Sequence, residues 1–217
     1  MPMKPITEGK SRLAPSLEDG RRRLLSLGML ARVLVAAVGA PGIEDVVVYG
    51  GDSAVRRAST KLGAGWRQDP GAGLNGCLRA AFSEAAGQGP GFGLFLPADL
   101  PLVTSGDLEG FLASVDGFPL ALAPDLADDG TNALLVDLTT PFTTQLGEAS
   151  FNRHIEQANK LGIDHVVHRS ERLGLDIDTA ADLEQLLRVE PGLWRGLDAE
   201  LREAGLEMSM PVSEATE

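Results

Sequence analysis

Several things are scarce in this 217-residue chain, and each scarcity removes a class of function. Cys77 is the only cysteine, so no internal disulfide can form, and a reducing cytoplasm is the expected compartment. No apolar run approaches the roughly 18 residues that span a bilayer. The opening MPMKPITEGK also lacks the apolar stretch of a secretory signal, so no membrane partner is expected. Three histidines do not make a metal centre: His165 and His168 lie three apart on an expected strand and point to opposite faces, while His154 stands alone on an expected helix, as a surface or core residue. Cys77, on an alanine-rich helix, reads as a small core residue, so a Cys/His or Ser/His nucleophile has no support. G-x-x-x-x-G-K-[ST] is missing, which excludes a P-loop. The formal charge of -12 argues against nucleic acid as a partner, because phosphate backbones demand a basic surface.

What is present is an alternation of helical and extended patterns. Leu24, Leu27, Leu30, Leu34 and Val38 recur at helical spacing between about Leu17 and Val38, and Gly39 with Pro41 ends the run. EDVVVYG reads as a buried strand, Asp52 or Ser53 as the cap of a helix reaching about Leu62, and GFGLFLPADLPL as a second buried strand. Thr104 with Asp107 forms a capping box, strands follow at about 119–123 and 131–137, and EASFNRHIEQANKLG is the next helix. A strand DHVVHR and a capped helix DTAADLEQLLRV complete the alternation. The expected fold class is therefore α/β: a single domain over residues 1–188, built on a mainly parallel sheet with helices on both faces and ligands at the carboxyl ends of the strands. Residues 189–217 change character and are expected to form an extension, with one amphipathic helix around 196–205 and a polar, partly mobile end. Exposed amphipathic helices permit a homodimer.

Charge is placed unevenly. Residues 1–32 carry seven cations against three acids, whereas residues 171–217 carry twelve acids and four arginines. An acidic protein with a cationic N-terminal segment has a place for a small anion. Within KPITEGKSRLAP, Lys4, Lys10 and Arg12 lie on a loop too irregular to be a solvated helix face, and three such cations can neutralise a polyphosphate. Asp99, held between Pro97 and Pro101 directly after GLFL, is a carboxylate on a stiff turn at a strand's exit; it suits Mg²⁺, which takes one or two protein oxygens when phosphates supply the rest. A second acid is offered by DIDTAADL, with Asp178 ranked above Asp176, although Asp178 also reads as a helix N-cap.

GAGLNG at 71–76 satisfies G-x-G-x-x-G and raises a nicotinamide-dependent oxidoreductase as a rival. Its context is poor, because GWRQDP rather than a buried strand precedes it. The glycines instead suit close approach of backbone to a nucleotide, with Asn75 reading base or sugar. Thr131 and Asn132, at the entrance of an apolar strand, and Gly147 with Ser150, at a helix start, offer small polar groups and free amides to a phosphorylated acid. Ordinary turn and cap residues are the alternative for both pairs.

In this order, KPITEGKSRLAP, GLN, LPADLPL, APDLADDGTNALL, GEASFNRH and DIDTAADL resemble the guanylyltransferases of coenzyme F420 biosynthesis, the CofC and FbiD proteins. The likeness covers about residues 2–187, and DGTNALL is its most specific piece. A related glycosyltransferase-like group shares the K-[ST]-R-L-A-P start and PADLP, but carries Asp-Gly-Gly and tyrosine where this chain has Asp129-Gly130-Thr131-Asn132. The resemblance implies a GT-A-like, Rossmann-like nucleotidyltransferase sheet that transfers GMP from GTP to 2-phospho-L-lactate or phosphoenolpyruvate with Mg²⁺. It implies that Asp99 holds the metal, that Thr131, Gly147 and Ser150 hold the phospho-acid, that Lys4, Lys10 and Arg12 face the triphosphate, and that Gly73, Leu74 and Asn75 contact the nucleotide. Family members carry a longer apolar strand ahead of P-x-K-P than the Met1-Pro2-Met3 found here, so either the given start lies downstream of the natural one or the first strand is shortened, which would leave the triphosphate loop poorly anchored. A catalytically silent nucleotide-binding sheet protein is the third reading.

Overall fold

A computed structural model describes residues 1–206; the polar end expected to be mobile, 207–217, lies outside the described residues. Among the described residues there are seven strands: β1 Pro2–Met3, β2 Val47–Gly50, β3 Gly65–Arg67, β4 Phe92–Phe95, β5 Leu120–Pro124, β6 Thr131–Asp137 and β7 His165–Val167. Eight helices accompany them among the described residues: α1 Asp19–Val38, α2 Ser53–Lys61, α3 Gly73–Ala86, α4 Ser105–Ala113, α5 Ser150–Leu161, α6 Glu171–Gly174, α7 Ala180–Val189 and α8 Leu193–Glu203. Asp52, not Ser53, caps α2, accepting from the Ala54 and Val55 amides. The Thr104–Asp107 capping box starts α4 as its sequence requires. No helix among the described residues is long and apolar enough to cross a membrane.

Strands β1, β2 and β3 pair in parallel, in that order, and the short β1 is held by only two register partners, Tyr49 and Gly50. A second group runs β4-β6-β5-β7, with β5 and β7 parallel and β6 antiparallel to both of its neighbours. Reversal of β6 has a simple cause. The connection from β5 to β6 spans only residues 125–130, far short of the dozen or so that a parallel crossover needs.

Side chains alternate between the two faces of this sheet. Leu120, Leu122, Leu134 and Val136 pack with Leu78 of α3 and with Phe151 and Ala158 of α5. Ala121, Ala123, Ala133 and Leu135 share the opposite core with Leu34 of α1, Val55 of α2 and Phe111 of α4. Helices therefore cover both faces of this sheet.

Helix α8 begins and ends two to three residues earlier than the amphipathic pattern suggests, and it is firmly docked. Leu193 and Leu197 are buried beside Leu25 and Met29 of α1. A Cβ at Gly28 would come within 2.7 Å of Leu197, so only glycine lets these helices approach so closely. Arg32 reinforces the contact: its guanidinium donates to Glu190 at 2.7 Å, to Glu200 at 2.8 Å and to the Pro101 carbonyl at 3.3 Å. This side chain links α1, the C-terminal segment and the turn that follows Asp99. Arg32→Met leaves two glutamates and a carbonyl without their donor and is expected to lower stability by about 2–3 kcal/mol. Urea denaturation with an unchanged m value checks this; a loss below about 0.5 kcal/mol would refute the bracing role.

Candidate active site

The N-terminal loop is shaped by Asp52, whose carboxylate does two jobs. One oxygen caps α2 and the other accepts the Ile6 amide at 2.9 Å, fastening the loop to the end of β2. The chain then turns at Lys10, which adopts a left-handed backbone (φ 53°) at a cost of order 1 kcal/mol for a residue with a Cβ. A single 3₁₀ turn, Ser11–Leu13, follows and buries Leu13. The strained turn sends the Lys10 side chain inward, where Nζ reaches Asp99 Oδ2 at 2.6 Å and Asp178 Oδ1 at 3.0 Å. Burial opposes its charge, yet the two carboxylates hold the Lys10 ammonium above its usual pKa. Arg12 lies 3.6 Å from Asp178 Oδ2 and stays largely solvent-exposed. Lys4, on the same loop, is exposed and meets no carboxylate among the described residues.

Asp99, Asp176 and Asp178 converge. Each offers a carboxylate oxygen within 4.8 Å of the other two. The Ile177 amide donates to the Asp99 carbonyl at 3.2 Å, joining the PADLP turn to the DID segment and setting its acids opposite Asp99. Asp178 is not the cap of α7. Thr179 is, in a capping box with Asp182, and this leaves the Asp178 carboxylate free to face Lys10. Asp176, ranked second from sequence, is the better enclosed of the pair: Asn132 Nδ2 donates to it at 3.1 Å and to the Gly174 carbonyl at 3.2 Å. Burial, followed by the charges of Asp99 and Asp178, pushes the Asp176 carboxyl up to about 6, against the Asn132 bond that lowers it. Asp99 Oδ1 is buried with no hydrogen-bond partner among the described residues. A buried, unpartnered carboxylate oxygen beside two further acids is an all-oxygen donor set short of positive charge, and it fits a hard divalent cation.

Thr131 and Asn132 diverge to different partners. Pro124 pairs with Thr131 after Ala123 has paired with Ala133, so the ladder carries a bulge, and a bulge re-aims side chains. Asn132 turns to Asp176, whereas Thr131 Oγ1 lies 3.0 Å from His154 Nδ1 and 3.3 Å from Ser150 Oγ. Thr131, Ser150 and His154 are all buried. His154, read from sequence as a lone surface or core residue, belongs to this cluster; the one signal was its i, i+4 spacing from Ser150, which puts both on one face of α5. The loop before α5 takes two left-handed positions, Gly147 (φ 121°) and Ala149 (φ 51°), and Ala149 offers no side-chain cap to the helix N-terminus. Arg153 Nη2 lies 3.5 Å from the position a Cβ would occupy on Gly147.

The GLN segment opens α3, with Gly73 left-handed and Leu74 half exposed. Asn75 is engaged elsewhere than a base or sugar: its amide donates to the Leu146 carbonyl at 3.0 Å and accepts the Leu146 amide at 2.8 Å, tying α3 to the loop that carries Gly147. The dinucleotide reading of residues 71–76 lacks its setting, since the preceding β3 is a three-residue edge strand with two exposed residues.

Over residues 1–192 the chain matches the protein family described as guanylyl transferase CofC like. It is similar to a phosphoenolpyruvate guanylyltransferase of Sphaerobacter thermophilus, 36% identical over 86% of this chain and 90% of that protein. It also resembles a 3-phospho-D-glycerate guanylyltransferase of Phenylobacterium zucineum, 33% identical over 82% of this chain and 84% of the relative. Among solved structures, a putative nucleotide-diphospho-sugar transferase from Desulfovibrio desulfuricans shares the fold, with a TM-score of 0.73 at 15% identity over 94% of this chain and 93% of that one.

A carboxyl whose folded pKa is raised contributes stability that is present below its ordinary value, 3.8 for Asp176, and lost as pH rises through about 6. In chelator-treated protein, Asp176→Asn is therefore expected to raise Tm at pH 7.5 and to give no gain near pH 4. Added Mg²⁺ should stabilise the parent protein more than the variant. Thermal unfolding across this pH range checks both points, and a gain independent of pH would refute the assignment of charge to Asp176.

Proposed function

The chain belongs to the CofC-like guanylyl transferase family, and from that premise we propose that it transfers GMP from GTP to phosphoenolpyruvate with release of pyrophosphate, as a step in coenzyme F420 assembly. 2-Phospho-L-lactate is the second acceptor in this reading. The observation that carries it is the convergence of Asp99, Asp176 and Asp178 on Lys10, with one carboxylate oxygen left unpartnered. Mg²⁺ bound by those three acids would supply charge neutralisation at the reacting phosphates.

An acceptor phosphate is already ionised at neutral pH. Its oxygen can attack the α-phosphorus of GTP directly, forming one P–O bond while the α–β bridge breaks and pyrophosphate leaves with the electron pair. No protein base or nucleophile is needed, in keeping with the missing triads. Catalysis then rests on alignment and on preorganised positive charge. Lys10 is the buried cation of the site, and Lys4 and Arg12 would add exposed positive charge on the same loop for the departing pyrophosphate. Gly73 and Leu74, at the start of α3, would border the nucleotide. Thr131 and Ser150 supply hydroxyls, and Gly147 with the uncapped start of α5 supplies backbone donors, for the acceptor's carboxylate and phosphate.

Pyrophosphate release, measured with each of four NTPs against phosphoenolpyruvate, 2-phospho-L-lactate and 3-phosphoglycerate, tests the reading. Turnover is expected with GTP and phosphoenolpyruvate; no release with any pair would overturn it. Asp99→Asn and Lys10→Ala should each lower kcat by at least about a hundredfold with folding intact, and near-normal rates would remove these residues from the mechanism. Thr131→Val should raise the acceptor KM and leave the KM for GTP in place.

A further inference from the structure

We propose that His154 is a positioning residue which holds Thr131 as a one-way hydrogen-bond donor toward the acceptor. The inference deepens the reading that Thr131 and Ser150 receive the phospho-acid, and it rests on that reading. It follows from counting donors and acceptors around a buried ring. The Gln145 backbone N–H lies 2.8 Å from His154 Nε2, and an amide can only donate, so Nε2 must carry a lone pair. A neutral imidazole with a bare Nε2 has its proton on Nδ1, and Nδ1 faces Thr131 Oγ1 at 3.0 Å. That contact has one polarity: the ring donates and the threonine accepts.

Ser150 Oγ approaches the same Thr131 oxygen at 3.3 Å as a second donor. Thr131 then accepts from both neighbours, and its own O–H has no hydrogen-bond partner among the described residues. It points to whatever occupies the space before it, and that group must accept. An anionic carboxylate or phosphate oxygen does so with the added strength of its charge; an ammonium, which can only donate, cannot. Neutrality of the ring is secured by its setting. His154 is fully buried, with Phe142 at a centroid distance of 5.7 Å, and burial together with the Arg153 charge lowers its pKa to about 4. With the ring neutral at physiological pH, the polarity of the contact does not change.

Two measurements test this. Nitrogen NMR of the free, full-length protein at pH 7 should show His154 protonated at Nδ1 and bare at Nε2; the opposite tautomer, or a doubly protonated ring, would overturn the proposal without any assay of turnover. The second measurement compares two variants. His154→Asn keeps a donor near the Nδ1 position, and His154→Gln keeps an acceptor near Nε2 but loses the donor to Thr131. The acceptor KM is expected to rise about tenfold in His154→Gln, the loss of roughly one charge-assisted hydrogen bond, and to be largely recovered in His154→Asn, with the KM for GTP unmoved. Equal increases in both variants, or none in His154→Gln, would reduce the histidine to a packing role and overturn the inference. Thr131→Val separates the two levels: if it raises the acceptor KM while His154→Gln does not, only the histidine's role falls, and if it leaves that KM unchanged, the acceptor pocket falls with it.

Discussion

Three carboxylates crowded at the exit of β4 are the constraint on which the rest of the molecule depends. Two full charges no more than 4.8 Å apart repel by at least about 3.5 kcal/mol at an effective dielectric of about 20, and this cluster holds three such groups against the buried ammonium of Lys10. One cation cannot balance three anions. The imbalance is visible in the unpartnered Asp99 Oδ1 and in the Asp176 carboxyl, which burial and its neighbours keep protonated up to about pH 6. A site that stores negative charge in this way binds a divalent cation more tightly than a neutralised one would, and its folding cost is carried by the surrounding scaffold.

That scaffold is assembled from contacts distant in sequence. The Ile177 amide on the Asp99 carbonyl joins the two acidic segments, Thr179 takes over capping so that Asp178 is released, and Asn132 steadies Asp176. From outside, Arg32 grips the Pro101 carbonyl together with Glu190 and Glu200. The C-terminal helix, which has no part in the proposed chemistry, is thereby tied to the turn that presents Asp99. Its buried leucines are part of what keeps that turn in place.

Much of this was legible in the chain because local rules apply to it. Periodicity marked α1, the prolines around Asp99 marked a stiff turn, and Thr104 with Asp107 marked a helix start. What was not legible depended on pairing over long separations. Ranking Asp178 above Asp176 was a choice between two acids on one segment, and the enclosure of Asp176 depends on Asn132, 44 positions away. The direction of β6 was available in the six-residue connection before it, because two strands joined by so short a link, with no helix between them, cannot make a parallel crossover. His154 looked solitary because Thr131 is separated from it by 23 positions and Gln145 meets it only after a turn.

The bulge in β6 makes one strand serve both halves of the proposed site. Thr131 and Asn132 are chain neighbours, yet one reaches the His154–Ser150 cluster and the other the acidic cluster. Their spacing is therefore set by a single rigid backbone link rather than by two loops that move independently. The preceding loop enforces it: the Asp125 carboxylate accepts from the Ala127, Asp129 and Gly130 amides, and a Cβ on Gly130 would lie 2.7 Å from it, so the chain is held tightly into the bulge. For a reaction that needs no base, the distance between acceptor oxygen and activated phosphorus is the main catalytic variable, and an error of about 1 Å can cost on the order of a hundredfold in rate. A bulged strand anchored at both residues keeps that error small, and this gives a physical reason for a hydroxyl and an amide to stand side by side at the mouth of an apolar strand.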